Sequence, residues 1–202
     1  MDSAVYTRIY EAPSLNRKEI LRYAGVFGAS PEIEALLDGC IKEVDGRLSF
    51  KVCYREFDIS AVSGVLDLEF VKTNSEALRK NLDGCSSVIL FAATVGVEID
   101  RLIARYRAVS PTRSLLLGAI GSERIESLCD LFCLEISEEK AKVGYITRPR
   151  FSPGYGDLPL DMQRAVFAAL DCPRKIGVTL NDSLLMSPSK SVTAIIGLCR
   201  AR

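Results

Sequence analysis

The residues best suited to chemistry lie in one segment, RPRFSPGYGDLPLDMQ, which spans residues 148–163. Arg150 offers a planar guanidinium that can bind a carboxylate through two hydrogen bonds at any physiological pH. Tyr155 offers a flat aromatic face and a hydroxyl, and Gly154 allows positive φ or close approach of the backbone to a ligand. The segment is suited to bind a zwitterionic, partly aromatic small molecule. The same residues are also consistent with a rigid surface loop that only packs on the core.

Two carboxylates can complete such a site. Glu126 and Asp130 lie four residues apart in a predicted helix, so they face the same side, one turn apart. If the segment around Arg150 returns to this helix, one carboxylate can bind a ligand amine while Arg150 binds a ligand carboxylate. Without that contact, the two carboxylates form an ordinary solvated face.

Histidine is absent from the 202 residues. Its absence excludes Ser-His and Cys-His nucleophilic systems and the usual histidine-ligated zinc hydrolase and oxygenase sites. Chemistry near neutral pH must then use carboxylates, lysine, tyrosine or cysteine, or belong to a bound cofactor. The composition therefore favours a binding or accessory protein, and we assign no catalytic residue.

Two further patterns could indicate a ligand or metal site, but each also fits an ordinary structural role. The stretch ILFAATVGVEID places Gly96 between a buried strand and a helix, where a nucleotide-binding turn would lie. It has one glycine where the dinucleotide fingerprint has three, so a plain strand–turn–helix connection is favoured. Cys129 and Cys133 are one helical turn apart, but two further metal ligands are missing. Two core residues are therefore favoured, and no metal is expected.

The charge balance indicates the kind of partner and the compartment. Lys and Arg together number 26, as do Asp and Glu, which argues against nucleic acid or an anionic membrane surface as the main partner. No apolar run reaches membrane-spanning length, and the N-terminal residues lack the apolar core of a signal peptide. The seven cysteines form no CxxC pair and are predicted to be reduced, buried residues. We therefore predict a cytoplasmic protein.

The elements that must position these residues predict an α+β fold, with a mixed or antiparallel sheet flanked by helices. Capping patterns predict helices that begin near Asn16, Ser30-Pro31, Thr73 and Ser110-Pro111. The last of these is predicted to be interrupted at Gly121-Ser122 before a long helix runs to Ile136. Another helix is predicted from about Pro159 to Leu170.

Alternation and apolar runs predict the strands. RLSFKVCYREFDI and VLDLEFVK are predicted strands joined by a turn at Ser63-Gly64, and SSVILFAAT is a predicted buried strand. Two or three strands are predicted after residue 175. Residues 1–73 are accordingly assigned to a small N-terminal α+β extension, and residues 74–202 to the ligand-binding region.

The run from Arg150 through Gly154-Tyr155 resembles the Arg-x-x-x-Gly-Tyr motif of the activation domain of vitamin B12-dependent methionine synthase, where the motif lines the S-adenosylmethionine groove. The turn MSPSKSVTAIIG resembles that family's C-terminal strand, and the helix with Glu126 matches a family helix whose glutamate contacts the ligand. The resemblance covers roughly residues 85–198. Two features depart from it: Ile196 and Gly197 replace an aromatic pair, and an N-terminal ligand-binding aspartate has no counterpart.

The resemblance implies roles for five residues. Arg150 would bind the methionine carboxylate of S-adenosylmethionine, and Glu126 would face the amino or sulfonium charge. The backbone of Ser152 and the Gly154-Tyr155 turn would line the groove. The N-terminal third resembles the extension of free-standing members of the family.

The resemblance also implies a function. A free-standing activation domain would present S-adenosylmethionine to the cobalamin-binding module of a methionine synthase, which carries the cobalamin. With a flavodoxin-like electron donor, the inactive cob(II)alamin would be converted to methylcobalamin. Two alternatives stay open: an independent methyltransferase, and a non-catalytic sensor of S-adenosylmethionine or a corrinoid.

Overall fold

A computed structural model describes residues 4–62 and 64–201. The strands are β1 (Tyr6–Tyr10), β2 (Phe50–Asp58), β3 (Ser60–Val62), β4 (Val65–Asp67), β5 (Lys72–Thr73), β6 (Cys85–Thr94), β7 (Tyr145–Thr147), β8 (Thr179–Leu180), β9 (Met186–Ser187) and β10 (Ser191–Arg200). The helices are α1 (Arg17–Tyr23), α2 (Pro31–Val44), α3 (Glu76–Asn81), α4 (Glu98–Tyr106), α5 (Pro111–Ala141), α6 (Met162–Leu170) and α7 (Cys172–Ile176).

The central sheet has the strand order β1-β2-β6-β10-β7, and each neighbouring pair is antiparallel. Two smaller antiparallel sheets, β3-β4-β5 and β8-β9, lie outside it. The expected α+β fold, with an antiparallel sheet and flanking helices, is confirmed.

Strand β6 lies in the middle of the sheet and is buried on both faces. Ile89 and Phe91 pack in the core cluster that includes α5 residues, while Val88 and Leu90 pack in a second cluster with α6 and α7 residues. Successive side chains of a strand point to opposite faces, so a nearly continuous apolar run such as SSVILFAAT is what a sheet covered on both faces requires.

The long helix α5 is continuous, which corrects the predicted interruption at Gly121-Ser122. Gly121 is buried inside the helix, and a Cβ built on it would lie 2.8 Å from Ile99 Cγ1 and 2.9 Å from Lys190 Cγ. A glycine at this position therefore lets α4 and the segment before β10 approach the helix closely. It does not end the helix.

Two smaller predictions also change, and a third is not tested. VLDLEFVK is not one strand, because β4 ends at Asp67 and the chain turns before β5 begins at Lys72. The cap of α3 is Ser75, whose side chain accepts a hydrogen bond from the Leu78 N–H, and not Thr73. The predicted turn at Ser63-Gly64 falls partly on Ser63, which lies outside the described residues.

The segments on either side of residues 73/74 share the central sheet. Strands β1 and β2 come from the first segment, and β2 pairs with β6 from Lys51↔Thr94 to Asp58↔Ser87. Helices α1 and α2 contribute Ile20 and Leu37 to the same core cluster as α5. The N-terminal residues thus complete the sheet that supports α5.

Two cysteines depart from the prediction that all seven are reduced. Cys85 and Cys199 face each other in the register of β6 and β10 and form a disulfide. The free cysteines of the described chain are Cys40, Cys53, Cys129 and Cys172, which are buried, and Cys133, which is half-buried. In residues 4–62 and 64–201, no helix combines the length and apolarity needed to cross a membrane.

Candidate functional site

Arg150 contacts both predicted carboxylates. Its Nη2 donates a hydrogen bond to Glu126 Oε2 at 2.5 Å, and its Nη1 lies 3.0 Å from Asp130 Oδ1. The two carboxylates lie one turn apart on the middle of α5, so the guanidinium spans both. The segment after β7 therefore does return to this helix. This contact is what the two carboxylates need in order to form a site with Arg150.

The two contacts of Arg150 are unequal. Nη1 is shielded from solvent yet has no hydrogen-bond acceptor among the described residues, although Asp130 is within ion-pair distance. The Asp130 side chain is 75 % exposed. An exposed ion pair of this kind contributes little. A ligand carboxylate could therefore bind Nη1 by displacing the exposed Asp130 side chain.

Backbone hydrogen bonds fix the segment that carries Arg150. Phe151 and Ile195 exchange two of them, at 2.9 and 2.8 Å, beside β10, and the Arg148 N–H donates to the Gly197 carbonyl at 2.8 Å. Asn81 Nδ2 also donates to the Pro149 carbonyl at 3.2 Å. Arg150 therefore stands on a rigid support that extends the sheet edge.

The next residues form a tight turn. The Tyr155 N–H donates to the Ser152 carbonyl at 3.1 Å, and the Gly154 N–H donates to the Leu158 carbonyl at 2.9 Å. Gly154 has a φ of +87°, which other residues rarely adopt. The Tyr155 side chain is 71 % exposed and meets the Phe151 ring edge-on, with centroids 5.7 Å apart. The turn thus presents an aromatic side chain to solvent beside Phe151.

The thiols of Cys129 and Cys133, on α5, lie close enough to Arg150 to feel its charge. Burial raises the pKa of the Cys129 thiol and of the Cys133 thiol, although the Arg150 charge acts in the opposite direction. Both cysteines are therefore neutral packing residues near neutral pH. In the part of the chain that the structure describes, no group of three or more Cys, Asp or Glu side chains is arranged to hold a metal ion.

Tyr23 is a neighbour of the site that the sequence did not reveal. It ends α1, which packs against α5, and it is 38 % exposed. Burial, followed by the negative charge of Glu126, raises the pKa of Tyr23. No local pattern links a residue of α1 to Glu126 more than 100 positions later, so only the tertiary fold could place it here.

The remaining candidate positions lie away from Arg150 or inside the core. Gly96 has a φ of +82° in the connection from β6 to α4, and its own neighbour is Ser49. Ile196 is 1 % exposed in the core under α5. A Cβ on Gly197 would lie 2.7 Å from Leu82 Cδ2, so an aromatic side chain has no room there.

We call the surface of α5 around Glu126 and Asp130, together with the Arg150 side chain that lies on it, the Arg150 groove. The structure brings Glu126 and Asp130 to Arg150. The turn of Ser152, Gly154 and Tyr155 instead follows Phe151, whose side chain packs against the core cluster of α6 and α7. The role of this turn at the site stays a prediction.

No protein-family model matches this sequence, and no curated protein sequence matches it. A solved structure with a similar fold is described as "Crystal Structure of the MetH Reactivation Domain bound to AdoHcy". The two folds superpose with a TM-score of 0.73 at 15 % sequence identity, over 96 % of this chain and 78 % of that chain. At this identity, the similarity establishes the fold.

Proposed function

We propose that the Arg150 groove binds S-adenosylmethionine and that the protein acts as an accessory component in the reductive reactivation of a cobalamin-dependent methionine synthase. The observation that carries the proposal is the Arg150 Nη1 donor, which is shielded from solvent and has no hydrogen-bond acceptor in the described chain. The similar fold of a reactivation domain whose structure contains AdoHcy supports the same class of ligand.

Different residues would bind the negatively and the positively charged groups of the ligand. Arg150 would bind the carboxylate of the methionine part, which would take the place of the loosely held Asp130. Glu126 would face the ammonium or sulfonium charge, since its carboxylate already lies beside the guanidinium. The Ser152 backbone and the exposed Tyr155 ring would line the adenosine side.

The protein would position a methyl donor and would supply no acid or base. The methyl acceptor would be the partner's cobalamin, reduced by a flavodoxin-like donor, and this chain's residues would only hold the methyl donor against it. Positioning is then the main contribution of this chain, and the rigid backbone around Phe151 and Ile195 suits that task. The absence of histidine is compatible with this role.

Calorimetric titration with S-adenosylmethionine tests the groove. We expect wild type to bind and Arg150→Ala to lose about 10- to 100-fold in affinity, the range for hydrogen bonds to a charged group. Arg164→Ala is the matched control, because Arg164 is exposed on α6 and, within the described residues, its side chain donates one hydrogen bond, to the Asp182 carbonyl at 3.3 Å. Equal affinity of wild type and Arg150→Ala would contradict the assignment.

A transfer assay separates the accessory role from its alternatives. Methyl transfer to a cobalamin-loaded synthase module should require both this protein and an electron donor. A sensor would bind S-adenosylmethionine without supporting transfer, and an independent methyltransferase would methylate a substrate without the cobalamin module.

A further inference from the structure

Lys190 is a half-buried cation without a partner carboxylate. Its Nζ donates one hydrogen bond, to Ser122 Oγ at 2.9 Å, and it forms no ion pair with any residue in the described ranges. Burial lowers the pKa of Lys190, and the more distant charge of Asp100 opposes that effect. Because the side chain is only half-buried and forms no ion pair in the described ranges, its ammonium can accept an anion from solution.

Asp100, the carboxylate whose charge acts on Lys190, is already engaged. Asp100 on α4 accepts a hydrogen bond from the Ser189 N–H at 2.8 Å and another from the Ser189 hydroxyl. Ser122 is also committed, since its hydroxyl donates to the Gly118 carbonyl at 3.1 Å and accepts from Lys190. An ammonium has three N–H donors, so two of those on Lys190 have no acceptor in the described chain.

The backbone and the stem of Lys190 are held in place. The Lys190 carbonyl accepts from the Val95 N–H at 3.2 Å, and the preceding Ser189 is fastened to α4 by Asp100. The stem lies over Gly121, where a Cβ would approach Lys190 Cγ to 2.9 Å. Because α5 has a glycine under this stem, the ammonium is fixed above Ser122.

Lys190 stands next to the Arg150 groove. Ser122 and Glu126 are four residues apart on α5, so their Cβ atoms lie about 5–6 Å from each other. The helix face thus presents, in successive turns, the Lys190 ammonium at Ser122 and the Arg150 guanidinium at Glu126 and Asp130.

We propose that Lys190 is an oxyanion subsite, which binds a phosphate or carboxylate group of a small molecule through its two free N–H donors. Ser122 orients the ammonium, and Gly121 makes room for it. This inference goes beyond the proposed function, because it concerns a second anion-binding position that does not depend on S-adenosylmethionine.

Nuclear magnetic resonance titration with inorganic phosphate, at constant ionic strength, tests the subsite. We expect saturable shifts at the amides of Ser122, Ser189 and Lys190 in wild type. Lys190→Gln should weaken phosphate binding at least about tenfold, the order expected for a charged hydrogen bond. Lys142→Gln, which removes an exposed lysine at the end of α5, should leave binding unchanged. A parallel titration with acetate shows whether phosphate or carboxylate is preferred.

Three outcomes would overturn the proposal: no shift in wild type, equal binding by wild type and Lys190→Gln, or phosphate binding that Arg150→Ala abolishes and Lys190→Gln does not. If Lys190→Gln does not fold, the side-chain resonances of Lys190 in wild type must shift with phosphate. Lys190→Arg should retain binding. Loss of S-adenosylmethionine binding in Arg150→Ala with phosphate binding intact would separate this subsite from the Arg150 groove.

Discussion

At the residue scale, Glu123 and Arg124 place two opposite charges in the core, side by side on α5. Glu123 accepts hydrogen bonds from Arg124 Nε at 2.5 Å, from Arg124 Nη2 at 2.6 Å and from the Asn16 N–H at 2.9 Å. Arg124 donates in turn to the carbonyls of Pro13 and Ser14, at 2.6 and 2.8 Å. These bonds attach the connection between β1 and α1 to α5, so the pair stabilises the chain before it reaches Tyr23.

Removal of one charge of this pair should destabilise the fold strongly. We expect Glu123→Gln to lower the free energy of unfolding by about 3 kcal/mol, because Arg124 is left buried without its counter-charge. Glu98→Gln is the control, since it breaks an exposed pair with Arg101 and should cost less than about 1 kcal/mol. Urea unfolding followed by circular dichroism measures both. Equal losses in the two variants would show that burial does not strengthen the Glu123–Arg124 pair.

At the element scale, α5 contains two glycines with opposite surroundings. We expect Gly118→Ala to raise the free energy of unfolding by about 0.5–1 kcal/mol, because its Cβ meets no atom within 4 Å and alanine favours helix. Gly121→Ala gains the same helix propensity but places a Cβ 2.8 Å from Ile99 Cγ1. Overpacking typically costs about 1–3 kcal/mol, so a net loss is expected. Thermal unfolding of the two variants compares them, and stabilisation by both would refute the close packing at Gly121.

The turn after Tyr155 is joined to α3 by a carboxylate whose ionisation stabilises the contact. The Ser75 hydroxyl donates to Asp157 Oδ1 at 2.5 Å, and the N–H groups of Glu76 and Ala77 donate to the same carboxylate at 2.8 and 3.1 Å. The Ser75 hydrogen bond, followed by these backbone donors, lowers the pKa of Asp157. A lowered folded-state pKa contributes stability above the unfolded-state value, near 3.9, and that stability is lost as the pH falls through the folded-state value.

The consequence is a pH-dependent difference between two variants. Asp157→Asn should unfold at a lower temperature than wild type at pH 7, and the difference should shrink below about pH 3.9 as the carboxyl is protonated in wild type. Asp161→Asn serves as the control, because the Asp161 side chain makes no capping hydrogen bond to α6. A difference for Asp157→Asn that is constant from pH 7 to low pH would contradict the role of its charge.

At the scale of the whole molecule, local patterns and long-range contacts were predictable to different degrees. Ser30 with Pro31 was correctly identified as a helix start, and SSVILFAAT as a buried strand, because capping and burial leave signals within a few residues. The contact of Arg150 with Glu126 could not be predicted; the sequence showed only that the two residues could form a site if their segments met. The position of Lys190 over Ser122, 68 residues away, depends on packing between α5 and the start of β10, which leaves no periodic signal.

The order of the central sheet predicts how the whole molecule unfolds. Strand β2 lies between β1 and β6, so separating residues 1–73 from residues 74–202 would expose one edge of β6 along its length and uncover the core under α5. We therefore expect one cooperative transition, in which the amides of β2 and β6 exchange hydrogen with the same free energy of opening. Native-state hydrogen exchange across a urea series measures this. Exchange of β2 at a lower free energy, with β6 still protected, would instead establish residues 1–73 as a separate folding unit.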